Sequence, residues 1–179
     1  MEALKREALK YLEEGRPNWD VPHTLATIHW IKELIKAEGG NEKILVSTMY
    51  LHDIDYTKKD SDYNSVSKSK EKHMVLGSKL AKEILSKLEY SEEEIKEIVH
   101  LVRVHDNIET LSSFNEILVF EADSLTQIDV ERIQSTFNKD EIKRFLNSFE
   151  EYRLPRFKTN KGKALVKELF KKVKGFYCL

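Results

Sequence analysis

The amino-acid sequence predicts a single all-α domain, and three observations carry that reading. Apolar residues recur at steps of three and four along nearly the whole chain. No stretch alternates with period two for long. Only 6 Gly and 3 Pro interrupt the 179 residues, too few for a turn-rich β-sandwich, a collagen-like chain or a disordered linker protein. That length suits one domain with a sizeable core, so one unit over residues 1–179 is expected.

The elements follow in order. Residues 3–13 place Leu4, Ala8, Tyr11 and Leu12 on one stripe. A second helix opens at Asp20, a good N-cap, and tolerates Pro22 in its first turn. It carries Leu25, Ile28, Ile31, Leu34 and Ile35 until Gly39-Gly40 stops it. Asn41 starts a third helix, in which Ile44, Leu45, Thr48, Met49 and His52 share one side, so that His52 points at the core. Residues 57–69, TKKDSDYNSVSKS, are polar and unpatterned. They read as a long exposed loop of the kind that serves as a lid or binding loop.

A fourth helix is expected from about Glu71 to Leu88, with His73, Gly77, Leu80, Ile84 and Leu88 along one face. Ser91-Glu92-Glu93-Glu94 is a capping-box sequence opening a fifth helix that bears Ile95, Ile98, Val99, Val102 and His105. Phe114 to Leu125 is the most apolar helix, interrupted by Glu121 and Asp123. Three further helical patterns are centred on Ile133, on Phe145 with Phe149, and on Leu165 with Leu169. There is no internal repeat and no linker composition.

Charge narrows the function classes. Lys+Arg total 30 and Asp+Glu 31, a net charge of -1, which argues against a chain that coats nucleic acid or anionic membrane along its length. No apolar run approaches the roughly 20 residues needed to cross a bilayer, so no membrane partner is expected. The charged start MEALKREALKYLEEG lacks a secretory apolar region, and one cysteine, Cys178, allows no internal disulfide. A reducing, cytoplasmic location is the expectation. Positive charge does concentrate late: from Arg153 to Lys174 there are nine Lys or Arg against one acid, Glu168. This segment reads either as a solvated amphipathic helix on the stripe Leu165, Leu169, Phe170 and Val173, or as an attractor for a polyanion such as a nucleoside triphosphate. Lys68, Lys70 and Lys72, beside the polar loop, could serve the same end.

The chemistry-bearing residues are histidines and acids. Of six histidines, His23, His52, His73 and His105 fall on apolar helical stripes. Any one of them reads well as a hydrogen-bonded core residue. Four inward histidines joined by inward carboxylates would each need a polar partner, whereas one divalent cation satisfies several at once. The sharpest signal is His52-Asp53 in MYLHDID. Neighbours on a helix diverge by about 100°, but at a helix end both side chains can converge on one ion. Imidazole plus carboxylate suits Mn²⁺, Fe²⁺, Co²⁺, Ni²⁺ or Mg²⁺. His105-Asp106 is a rival pair. Asp123, one turn's face beyond Phe120, is expensive to bury without a cation or a partner; the alternative is a solvated helix margin. Glu121 is the less demanding acid and reads as solvent-facing.

The order His23, then His52-Asp53, then His73 followed by Gly77, then His105, then Asp123 resembles the HD-domain metal-dependent phosphohydrolase superfamily. The segments DVPHTLATIHW, LVSTMYLHDID, EKHMVLGSKLAKEIL, IVHLVRVHD and FEADSLTQID carry the resemblance over about residues 18–130. RLPRFKTNKGKALVKELF (153–170) is similar to the tail of small HD proteins that act on nucleotides. The resemblance implies a compact helical HD-type core with a helical C-terminal extension over 131–179. It implies His23, His52, Asp53 and Asp123 as ligands of one divalent metal. It also selects the first His-Asp pair, because His105 matches the family's later lone histidine, and leaves Asp106 only a helix end to cap. His73 and His105 match positions that, in various members, bind a second metal or contact substrate phosphate. The family's frequent Lys shortly after the dipeptide has no direct counterpart; Lys58 and Lys59 come later, beyond Asp55, as candidates for binding substrate.

The expected activity is therefore hydrolysis of a phosphate ester or anhydride by metal-activated water. Asp53 or Asp55 would orient that water or accept its proton. His73 and His105 would hold the phosphate or protonate the leaving oxygen. Arg103 is a further phosphate candidate whose alternative is an exposed helix charge. A small phosphorylated molecule, foremost a nucleotide, is the expected substrate. Two alternatives stand beside it: a phosphodiesterase or nuclease on RNA or cyclic nucleotides, and a non-enzymatic metal-stabilised module that binds a partner. No long heptad seam specifies an oligomeric state.

Overall fold

In the computed structural model, which describes residues 1–16 and 18–178, most helices begin where the sequence supplies a cap. After α1 (Glu2–Glu14) and α2 (Asp20–Glu38), Asn41 accepts the Ile44 N–H to open α3 (Glu42–Leu51). Asp62, Ser91, Ser113 and Asn138 each form a reciprocal capping box, opening α4 (Tyr63–Leu85), α5 (Glu92–Val104), α6 (Phe114–Gln127) and α7 (Lys139–Ser148). A π-helical turn over Phe149–Arg153 and a 3₁₀ turn over Leu154–Arg156 follow, and Thr159 caps α8 (Asn160–Phe176). Among the described residues there is no strand. No helix of the described residues is long and apolar enough to cross a membrane.

α6 lies at the centre, packed against α2, α3 and α8, although it is not the most apolar helix that the sequence predicted it to be: α3 is more apolar. α5 joins α3 to α4, and α1 covers α2 and α3. Ile31, Leu34, Leu45, Met49, Leu85, Leu101, Leu118 and Phe120 are almost fully buried between these layers. The C-terminal helices share that core through Leu146, Phe149, Val166, Leu169, Phe170 and Val173. Gly39 and Gly40, at φ 89° and 124°, make the turn into α3. A side chain on Gly40 would come within 2.8 Å of Leu45, so the turn needs glycine on both counts.

Several expectations need correcting. Residues 63–69 are not loop: the Asp62 carboxylate accepts from Asn64 N–H and Ser65 N–H, and Ser65 Oγ returns a bond to the Asp62 N–H. Local capping thus starts α4 eight residues early despite the polar composition. Asp20 does not cap α2; it is the first helical residue, and its buried carboxylate turns back to accept from the Arg16 N–H and, at 2.6 Å, from Arg16 Nε. Leu25 and Tyr11 face outward. The helix expected around Ile133 is a series of turns, because buried Asp129 ties the chain down by accepting from Trp30 Nε1 and from Glu131 N–H.

Glu121 is the largest surprise, being completely buried rather than solvated. Its carboxylate accepts from Lys158 N–H at 2.6 Å, Thr159 N–H at 2.9 Å and the Thr159 hydroxyl. α6 is thereby fastened to the start of α8, where only Gly162 leaves room for the carboxylate.

Candidate metal centre

Five chain segments deliver their polar side chains to one place. His23 comes from the first turns of α2, and His52 is the residue on which α3 ends, with Asp53 immediately after it. Asp123 projects from α6. His105 ends α5 as His52 ends α3, and His73 comes from the middle of α4. All six side chains are buried.

The distances describe a nest of ligand atoms. His23 Nε2 lies 3.1 Å from His52 Nε2 and 3.1 Å from Asp123 Oδ1. Asp53 Oδ2 is 3.6 Å from His23 Nε2 and 3.7 Å from His52 Nε2, and Asp123 Oδ1 is 3.8 Å from His52 Nε2. Groups bound about 2.1 Å from a common ion stand roughly 3.0–3.4 Å apart, so little adjustment separates this arrangement from a coordination shell. On its other side Asp53 Oδ1 is 3.7 Å from His105 Nε2. His23, His52 and Asp53 form one group able to hold a cation, and Asp53, His73 and His105 form a second.

The tautomers favour a cation. His52 Nδ1–H donates to the Met49 carbonyl and His105 Nδ1–H to the Val102 carbonyl, both at 2.8 Å. In its neutral form each ring therefore turns an unprotonated Nε2 toward the centre, the arrangement found for metal-ligating histidines. His23 Nδ1 and both nitrogens of His73 are buried without a hydrogen-bond partner. Orphaned imidazole nitrogens beside two carboxylates are a costly set in isolation and a suitable one for a divalent cation.

Two buried arginines hold the acids in place. Arg16 donates to Asp53 Oδ2 at 2.7 Å while gripping Asp20. Arg153 donates to Asp123 Oδ2 at 2.8 Å, to Asp106 Oδ1 at 2.7 Å and to Ser124 Oγ at 3.0 Å. Gln127 adds a bond to Asp123 Oδ2, leaving Asp123 Oδ1 to the histidines. Lys70 reaches Asp106 Oδ2 at 2.8 Å. Burial alone would raise the pKa of Asp53 and of Asp123. The charges of His52 and Arg16 on Asp53, and the His23 hydrogen bond and Arg153 on Asp123, prevail and hold both well below the usual carboxylate range. Burial pushes His73 down to about 3 and lowers His52. His105 is raised in spite of its burial, because Asp53 faces it.

Aromatic rings brace the centre. Trp19 stacks on His23, with centroids 5.3 Å apart. Tyr56 stacks on His73 at 4.0 Å, and the Arg16 guanidinium lies 3.7 Å from the same ring's centroid. Two groups so close to one centroid must occupy opposite faces, so Tyr56 is clamped between Arg16 and His73.

The structure brings together His23, His52, Asp53, His73, His105 and Asp123, the six positions that the family resemblance singled out. It does not bring the others. Asp55 is half-buried and absent from the cavity lining, and Lys58, Lys59 and Arg103 are exposed and also outside it. Of the basic run 153–174, only Arg153 reaches the cavity; Lys163, Lys167, Lys171 and Lys172 are exposed on α8, as the amphipathic reading has it. Asp106 does not merely end a helix but bridges Arg153 and Lys70. Arg16, Trp19 and Tyr56 escaped notice as site residues, and Lys70 and Arg153 were singled out only as parts of basic stretches that could attract a polyanion. An arginine or tyrosine alone in a sequence carries no spacing signal comparable to His-Asp.

A cavity of about 600 Å³ opens onto the centre, lined by His23, Asp53, Tyr56, Arg16, Lys70 and Arg153 among others. A family model described as HD domain matches residues 21–128. No curated protein and no solved structure matches the chain.

Proposed function

The chain belongs to the HD-domain family, and on that premise we propose that it is a metal-dependent phosphohydrolase acting on a small phosphorylated substrate, foremost a nucleotide. The observation that carries the reading is that His23 and His52 lie 3.1 Å apart and that Asp53 and Asp123 each come within 3.8 Å of both rings, beside a cavity large enough for such a molecule.

A divalent cation held by these four groups supplies a Lewis acid that acidifies water and offsets charge on phosphorus. The residues of the chain do the rest. Asp53 has one oxygen toward His23 and His52 and the other toward His105, so it is placed to orient the attacking water and take its proton. Of the two acids expected for that role, Asp53 alone lines the cavity. His105 does not itself line the cavity, but its Nε2 lies 3.7 Å from Asp53 Oδ1, so it is the group to relay a proton by way of that carboxylate to the leaving oxygen. Lys70 and the outer N–H groups of Arg16 can donate to phosphate oxygens at the cavity wall. His73 steadies Tyr56 and offers a second cation position together with Asp53 and His105.

The test is direct. Elemental analysis of protein purified without chelator should find a divalent metal, and phosphate release from nucleotides should require it. Asp53→Ala should abolish release, at least a hundredfold by the usual worth of proton-transfer groups, while circular dichroism shows unchanged helix content. Metal-dependent release that survives Asp53→Ala would sink the proposal.

A further inference from the structure

The cavity has two sources. His23, Asp53 and Tyr56 come from the stretch that matches the HD-domain family. Phe137, Phe145, Phe149 and Tyr152, which lie outside that stretch, form much of the facing wall together with Tyr63. Tyr63 and Phe137 meet edge to face, with centroids 5.9 Å apart, and Phe145 meets Phe149 in the same way at 5.9 Å. Ser135, Thr136 and Ser148 line the same cavity. Aromatic faces interrupted by small hydrogen-bonding groups suit a flat ring with polar edges and do nothing for a bare phosphate.

The charges of the same cavity limit how much phosphate it accepts. Its cationic lining residues among those described are Arg16, Lys70 and Arg153, facing the acids Asp53, Asp60, Asp106 and Glu109. Each cation already touches a carboxylate: Arg16 meets Asp53 at 2.7 Å, Lys70 meets Asp106 at 2.8 Å, and Arg153 meets Asp106 and Asp123 at 2.7 and 2.8 Å. A phosphomonoester carries about two negative charges near neutral pH, which a divalent cation at the centre offsets. A triphosphate carries roughly twice that, and no described lining residue brings an unpaired positive charge to the excess. The basic side chains of α8, which would favour a polyanion, do not line the cavity.

We propose that the substrate is the phosphomonoester of a nucleoside-like alcohol, with its one phosphate at the metal centre and its aromatic base against the wall of Tyr63, Phe137, Phe145, Phe149 and Tyr152. This rests on the phosphohydrolase reading and fixes what that reading leaves open: the number of phosphates and the residues that select the leaving group. In the reaction a water oxygen bonds to phosphorus and the ester P–O bond breaks. One water proton passes, through Asp53 and His105, to the leaving alkoxide. The products are the nucleoside and inorganic phosphate.

The experiment measures kcat/KM with Mn²⁺ for nucleoside 5′-monophosphates, the matching triphosphates and glycerol phosphate, and equilibrium binding of the nucleosides alone. The monophosphates should exceed glycerol phosphate by at least about tenfold, the usual worth of stacking one base on an aromatic group, and should exceed the triphosphates, whose extra negative charge no described lining residue offsets. Phe137→Ala should lower the ratio of kcat/KM for a nucleoside monophosphate to that for glycerol phosphate by about tenfold. Nucleosides should bind the wild-type protein measurably without phosphate. Triphosphates hydrolysed as well as monophosphates, or glycerol phosphate used as well as either, would overturn the proposal while leaving the phosphohydrolase reading intact. Absence of hydrolysis for every phosphate removes that reading instead; the base-binding wall then stands or falls on nucleoside binding, whose loss in Phe137→Ala supports it and whose absence in the wild type ends it.

Discussion

Arg153 is the residue on which most depends. It is buried, and it compensates two buried carboxylates at once. Removing one partner of such a group strands charge in a poor dielectric. Arg153→Ala should therefore cost about 3–5 kcal/mol, read as a lower urea midpoint, and should weaken metal retention because Asp123 loses the bond that orients it. Glu116 supplies a contrasting case at the protein's edge. Although burial opposes ionisation, its bonds from His100 and from the Ser112 and Ser113 N–H groups lower its pKa from 4.5 to about 2. A carboxyl depressed on folding stabilises above its ordinary pKa and loses that contribution as pH falls through the folded value. Glu116→Gln should thus narrow the gap between stability at pH 5 and at pH 2 relative to wild type, measured by denaturant titration at each pH. At this scale the sequence was informative only where a residue type carries its own chemistry. Histidines beside acids were visible; the arginines that restrain those acids were not, since a guanidinium on an unknown surface and one locked in a core are spelled alike.

Elements were legible in proportion to their local signals. The Ser91 capping box and the apolar run 114–125 gave α5 and α6 almost to the residue. The first turns of α4 were hidden because their nucleus is a polar cap rather than an apolar stripe, with Asp62 and Ser65 exchanging hydrogen bonds. Asp62→Ala should cost about 1 kcal/mol and raise amide exchange in residues 63–70 ahead of the rest of α4. The segment around Ile133 failed in the opposite sense: its spacing is helical, but Asp129 and Trp30, ninety-nine residues apart in sequence, impose a turn. Long-range bonds of that kind leave no local trace. Glu121 belongs with it, since only the fold places the α8 amides against it; Glu121→Ala, which strands those amides, should cost about 1–3 kcal/mol.

Across the whole molecule, the candidate centre draws on α2, α3, α6 and the segment after α3, with α4 and α5 adding their histidines. A ligand that ties so many segments stabilises the folded chain in proportion to its saturation. Mn²⁺ at about one hundred times its dissociation constant should add about 2.7 kcal/mol, seen as a higher Tm that a chelator reverses without changing helix content. The class of the fold was readable from periodicity, and the gathering of six side chains from the family resemblance that their order carries. The cavity was not, because its far wall is assembled from residues whose only sequence mark is being aromatic.

The Arg153 bridge to Asp123 has a consequence for anyone trimming this protein. The match to the family ends at residue 128, after every proposed ligand, yet the countercharge for one of those ligands arrives twenty-five positions later. A fragment cut at that border would keep the whole donor set and lose its keystone. The unit that homology outlines is thus smaller than the unit that works.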